Sequence, residues 1–219
     1  MLLPSPDESG AATARGAILP FTVRWLRQVG ARLYELVDGI EEPTSSAEKE
    51  LQRSFLEWGG LCLLEARALL YEREDTASGV LEALLDHLRL HWQYCFYRLL
   101  MPEKVVGVPW HIDAEAASTM LLDNFGSITS AWIPLTSVGT DSPSLEVVPG
   151  SSMLMRSEHL EPARHRDADW VAALGLPSIS PALVPGDVIV FDQYTLHRTQ
   201  QIPVTRPRLT CELRYPRTP

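Results

Sequence analysis

The residues in this sequence whose types and spacing could do chemistry are His111 and Asp113, in Trp110-His111-Ile112-Asp113, together with His197 and Arg208 far downstream. Side chains two residues apart on an extended strand point to the same side. One imidazole and one carboxylate can therefore face a single point. A second imidazole brought in on another strand would complete a set of two nitrogens and one oxygen. On an octahedral metal that set leaves about three open positions, the arrangement with which non-haem Fe(II) oxygenases bind a cosubstrate and dioxygen. Taken alone, an HxD pair could equally be a surface loop or a hydrogen-bonded ion pair.

The downstream residues add to it. Pro185-Gly186-Asp187 reads as a turn, Val188 to Phe191 as an apolar strand with His197 beyond it, and Arg208 to Tyr215 as a last strand. On that last strand Arg208 and Thr210 share a face, opposite Leu209, Cys211 and Leu213. An arginine turned into a protein interior needs an anion, because an unpaired buried charge is very costly. A dicarboxylate chelating a metal at one end would offer its far carboxylate to such a guanidinium. Arg206, in a Pro-rich stretch, reads as a surface residue.

The elements that must position these groups change character along the chain. Residues 1–16, rich in Pro, Ser, Gly and Ala, predict a flexible tail. Val23, Leu26, Val29, Leu33, Leu36 and Val37 recur at helical spacing, and Gly39 suits the helix end. Ser45 with Glu48 has the form of a capping box for a helix through Leu51, Phe55 and Trp58. Gly59-Gly60 predicts a stop or kink before a helix from Leu61 to Glu72, and Thr76 to Arg89 a further helix.

From His91 the residues favour strands: His91 to Met101, Ser118 to Leu122, Ser130 to Leu135, Ser144 to Val148, Ala182 to Phe191 and Arg208 to Tyr215. Only Ala168 to Leu174 suggests a helix in this half. The fold class expected is mainly β with flanking helices (α+β), a jelly-roll core behind an N-terminal helical segment. A tail of residues 1–16 precedes a single domain of residues 17–219, with 17–90 as helical support and 91–219 as the core.

Bulk composition agrees with an ordinary globular chain of 219 residues: 45% hydrophobic and 21% charged, too apolar for disorder. A net charge of −9 argues against a nucleic-acid surface. Cys62, Cys95 and Cys211 are widely spaced and form no CxxC pair, so a reducing compartment is expected. No stretch of about 20 apolar residues and no secretory leader is visible, which predicts a soluble cytoplasmic protein without membrane contact.

From roughly His91 to Tyr215 the chain resembles the phytanoyl-CoA dioxygenase family of Fe(II)- and 2-oxoglutarate-dependent oxygenases. The resemblance rests on Trp110-His111-Ile112-Asp113, Trp132-Ile133-Pro134-Leu135, Leu145-Glu146-Val147-Val148-Pro149-Gly150-Ser151, Pro185-Gly186-Asp187-Val188, and His197 with Arg208. It implies a double-stranded β-helix core, His111, Asp113 and His197 as iron ligands, and Arg208 as the salt-bridge partner of 2-oxoglutarate. Thr199 matches a position where the family often places a hydroxyl near the cosubstrate, and the strand carrying Tyr94 and Arg98 corresponds to one lining the cosubstrate and substrate cavity. Trp110, Trp132 and Ser130 are candidates for lining a substrate pocket.

Two departures, Asp141-Ser142-Pro143-Ser144 where the family commonly has Asn-Gly and Ser152 where it has His, fall away from the metal set. The halogenase relatives carry a small residue in place of the carboxylate; this chain keeps Asp113. The implied activity is hydroxylation of a small molecule with O2, releasing succinate and CO2, in natural-product metabolism. Two other readings are a cupin-like metal- or ligand-binding protein without oxygenase activity and a zinc hydrolase using the same ligands. Glu158, Glu161, Arg164, Arg166 and Asp167 form a mixed-charge run that reads as a solvated loop or a lid.

Overall fold

A computed structural model describes residues 10–58, 60–88, 95–102, 107–114, 127–157 and 167–217. Among the described residues, the amino-terminal part of the chain carries four helices: α1 (Pro20–Asp38), α2 (Ser46–Trp58), α3 (Leu63–Glu72) and α4 (Ala77–Leu88). Pro20 opens α1, where its fixed φ and missing N–H cost nothing. The apolar stripe read from the sequence is the buried face of α1, and Gly39 caps its end. At the start of α2 the capping box is formed. The Glu48 amide donates to Ser45 Oγ at 3.2 Å, and Glu48 Oε2 accepts from the Ser45 amide at 3.1 Å.

Eight strands and two short helices among the described residues precede, interleave with or follow them: β1 (Ala11–Ala14), β2 (Gly60–Cys62), β3 (Phe96–Leu100), β4 (Ser127–Pro134), β5 (Leu145–Val147), α5 (Ser151–Ser157), α6 (Ala168–Ala173), β6 (Val188–Asp192), β7 (His197–Thr199) and β8 (Arg208–Arg217). Six strands form one antiparallel sheet in the order β1-β6-β4-β8-β3-β2, and β5 pairs with β7 in a second. The result is mixed α+β with a large antiparallel sheet and flanking helices, consistent with a jelly roll.

The period of two along the large sheet separates two cores. Ala131, Ile133, Val188, Val190, Cys211 and Leu213 pack toward the helices with Leu26, Leu33 and Tyr97. Their neighbours Trp132, Ile189 and Phe191 pack the other way, with Val138, Leu145, Val147 and Leu183. Between the helices and the sheet, Gly30 of α1 lies so close to the Tyr97 ring that a Cβ there would fall 2.8 Å from Cδ1.

Four expectations need correction. Residues 11–14 of the supposed tail are strand β1, which covers the edge of β6. Asp187 anchors the segment, accepting from Arg15 Nη1 at 2.8 Å and the Gly16 amide at 2.9 Å. Gly60–Cys62 is not helical but pairs with β3. Residues 151–157 form α5, so α6 is not alone in this half. Within the expected strand Ala182–Phe191, Gly186 turns the chain at φ 108° and regular pairing begins at Val188. The predicted strand Ser118–Leu122 lies outside the described residues. Among the described residues no helix is long and apolar enough to cross a membrane.

Candidate metal centre

His197 leads β7, and its backbone forms an isolated antiparallel bridge with His111, the two residues exchanging N–H···O bonds of 3.0 Å each. That bridge brings the imidazoles together, with ring centroids 4.1 Å apart. Asp113 is not on an extended strand as the spacing suggested; it starts a helical turn whose Ala114 amide donates to Gln193 O at 2.9 Å. The turn still delivers its carboxylate. One ligand atom from each of His111, Asp113 and His197 lies within 4.8 Å of the others.

Both imidazoles are fixed by backbone carbonyls. His111 Nδ1 lies 2.8 Å from Pro109 O and His197 Nδ1 lies 2.9 Å from Thr195 O. A carbonyl can only accept, so each ring carries its proton on Nδ1 and keeps the Nε2 lone pair for a metal. Burial, and then the neighbouring His197, pushes His111 down to about 4, and burial also lowers His197. Both rings are therefore neutral at physiological pH, as a metal ligand must be. Asp113 is held as a carboxylate: burial alone would raise its pKa, but the Arg214 guanidinium, the foremost charge beside it, helps to bring it below the ordinary carboxylate value.

Arg208 is 1% exposed and lies under the Trp132 ring, 5.7 Å from its centroid. Its Nη1 donates to Pro143 O at 3.2 Å, while its Nε has no hydrogen-bond partner among the described residues. Burial first, and nearby Arg98 second, lower Arg208 to about 9. An interior guanidinium in this condition is completed by an anion. Thr199 and Arg98 line the same cleft as Arg208, His111 and His197. Thr199 Oγ1 accepts from the Val108 amide at 3.0 Å, which leaves its own proton free to donate.

The remaining sequence candidates separate. Trp132 lines the cleft. Ser130, expected in a substrate pocket, donates instead to Asp113 Oδ2 at 2.5 Å. Trp110 packs into another cluster with Ile112, Val148 and Met155, its ring beneath Arg198. Tyr94 and the charged run 158–166 lie outside the described residues, whereas Asp167 caps α6. Arg206 pairs with Asp141 at the surface, as expected. Glu212 and Arg214 were missed: Arg214 Nη2 donates to Asp113 Oδ1 at 2.8 Å and also pairs with Glu212. Both continue the Arg208 and Thr210 face of β8, so following the period of two would have found them.

Two neutral imidazoles and one carboxylate converging on a point, beside a buried guanidinium whose Nε has no hydrogen-bond partner among the described residues, suit a mononuclear metal centre of the two-histidine, one-carboxylate kind. The phytanoyl-CoA dioxygenase (PhyH) family model matches residues 7–209, and the chain belongs to that family of Fe(II)- and 2-oxoglutarate-dependent oxygenases. Among solved structures it is similar to EctD from S. alaskensis with 2-oxoglutarate and 5-hydroxyectoine, at 18% identity and TM-score 0.62 over 97% of this chain and 73% of that one. It is similar to the carbocyclase SnoK from nogalamycin biosynthesis, at 18% and 0.58 over 96% and 81%. EvdO2 from Micromonospora carbonacea var. aurantiaca complexed with 2-oxoglutarate follows at 20% and 0.56 over 94% and 85%. At these identities the likeness speaks for the fold. No curated protein matches in sequence.

Proposed function

We propose that the chain is a dioxygenase that hydroxylates a C–H bond of a small molecule, using O2 and 2-oxoglutarate and releasing succinate and CO2. The observation that carries this reading is the convergence of His111, Asp113 and His197 within 4.8 Å of one another, with both imidazoles lining the cleft of the buried Arg208, whose Nε has no partner among the described residues. A protein that only stores metal gains nothing from such a guanidinium.

His111, Asp113 and His197 hold iron through two Nε2 atoms and a carboxylate oxygen. When bound, Fe(II) supplies the oxidation in which 2-oxoglutarate is decarboxylated and one oxygen atom enters the substrate. Arg208 grips the far carboxylate of 2-oxoglutarate by a charge-assisted contact, and the Thr199 hydroxyl donates to the same cosubstrate. Arg98 adds positive charge to that end of the cleft. Trp132 and Phe191, whose ring lies 4.6 Å from that of His197, keep water from the centre. With SnoK described as a carbocyclase and EctD crystallised with 5-hydroxyectoine, the outcome depends on where a substrate carbon is held.

The substrate belongs to specialised metabolism, in keeping with the nogalamycin biosynthesis named for SnoK. A panel of small molecules is incubated with iron(II), 2-oxoglutarate and air, and succinate is measured alongside product mass. Substrate-dependent succinate with a product one oxygen atom heavier supports hydroxylation. Turnover in zinc without oxygen refutes it.

A further inference from the structure

Resting on the reading that His111, Asp113 and His197 hold iron, we propose that Ser130 and Arg214 are positioning residues that clamp Asp113, so that it gives the metal one oxygen only. The two oxygens of Asp113 are not equivalent. Oδ1 faces His197 Nε2 at 3.8 Å and accepts from Arg214 Nη2 at 2.8 Å. Oδ2 accepts from Ser130 Oγ at 2.5 Å and from Arg214 Nε at 3.3 Å. For both oxygens to reach one ion, the carboxylate would have to turn and give up the donors on Oδ2.

The clamp is stiff because of where its donors stand. Ser130 and Arg214 are register partners across β4 and β8, in the middle of the large sheet. Side chains placed on paired strands hold a geometry better than loops do. Arg214 is held in turn by Glu212, which lies on its own face of β8 and 3.9 Å from Arg98 Nε. The Arg214 ring contact with Phe96, 5.2 Å to the centroid, closes the other side. Arg214 thus meets two carboxylates and an aromatic face, and Asp113 meets two donors from different strands.

One-oxygen ligation matters because a chelating 2-oxoacid needs two open positions and dioxygen a third. A carboxylate free to bind through both oxygens would take one of them. Loss of the clamp should therefore spare the metal and penalise the cosubstrate.

The test uses the wild-type chain, Ser130→Ala, Arg214→Gln and Arg214→Lys without oxygen. Iron(II) affinity is measured first by competition with a chromogenic chelator, and 2-oxoglutarate half-saturation next from the visible absorption of the chelate. We expect iron affinity within about tenfold of wild type and half-saturation raised about tenfold or more in Arg214→Gln, less in Ser130→Ala, with Arg214→Lys partly restoring it. Half-saturation within about twofold of wild type in Ser130→Ala and Arg214→Gln overturns the clamp. Should Arg214→Gln fail to fold, Ser130→Ala decides alone, because it removes one hydroxyl and no charge. If wild type binds no iron, the ligand reading itself fails; iron binding with an unmoved cosubstrate requirement sinks the clamp alone.

Discussion

Arg208 and Arg214 share one face of β8 and are held in opposite ways: Arg214 pairs with Asp113 and Glu212, while the Nε of the buried Arg208 has no partner among the described residues. Burial would lower both. The two carboxylates outweigh it at Arg214, whose pKa is raised, whereas Arg208 is pushed down to about 9. One arginine is anchored by carboxylates beside the proposed metal ligands, and the other keeps a buried Nε free of any described partner, as the proposed contact with 2-oxoglutarate requires.

For Arg208→Ala the requirement for 2-oxoglutarate should rise while iron binding is kept. A charge-assisted hydrogen bond contributes about 1.5–3 kcal/mol, so half-saturation should climb roughly 10- to 150-fold. Anaerobic calorimetric titration measures it, and an unchanged cosubstrate affinity would show that the anion sits elsewhere.

Replacing a proposed metal ligand should act on chemistry without breaking the fold. In His111→Ala or Asp113→Ala, succinate formation should disappear while the far-ultraviolet dichroism stays that of wild type. Robust turnover in either variant contradicts the ligand set.

Glu48 offers a test of stability against pH. Arg73 first, with the Ser45 and Thr44 groups, holds its carboxyl at about 2 against an ordinary 4.5. A depressed folded-state pKa gives stabilisation that is present above the ordinary value and lost as pH falls toward the folded one. Glu48→Gln should melt below wild type at neutral pH, and the gap should close between about pH 4.5 and 2. A gap independent of pH across that window would mean that the charge is not the cause.

Gly30→Ala sets two effects against each other. An alanine gains about 1 kcal/mol of helix propensity. Its Cβ, however, would fall 2.8 and 2.9 Å from two atoms of the fully buried Tyr97 ring, and overpacking costs about 1–3 kcal/mol. The clash should win, lowering the denaturation midpoint. A raised midpoint would mean that the ring gives way.

The sequence made the helices legible because the α1 stripe from Val23 to Val37 and the Ser45–Glu48 box are local signals. It also pointed to β4, β8 and the His111, Asp113, His197 and Arg208 constellation, whose residue types are costly to bury without purpose. Strands β1 and β2 were hidden because Ala-Ala-Thr-Ala and Gly-Leu-Cys carry no alternating pattern; partners β6 and β3 make them strands. The same holds for α5, which starts where the Ser151 hydroxyl bonds to Val148 O at 2.7 Å and accepts the Leu196 amide at 2.8 Å. Ser130 looked like a pocket residue because sequence shows the face of a strand but not what turns toward it.

The most direct measurement is anaerobic: iron(II) and then 2-oxoglutarate are added to wild type and to His111→Ala while the visible spectrum is recorded. Wild type should develop the weak charge-transfer absorption of a 2-oxoacid chelated to iron(II), and His111→Ala should not. No absorption in wild type, or the same absorption in both, would contradict an iron centre built from His111, Asp113 and His197.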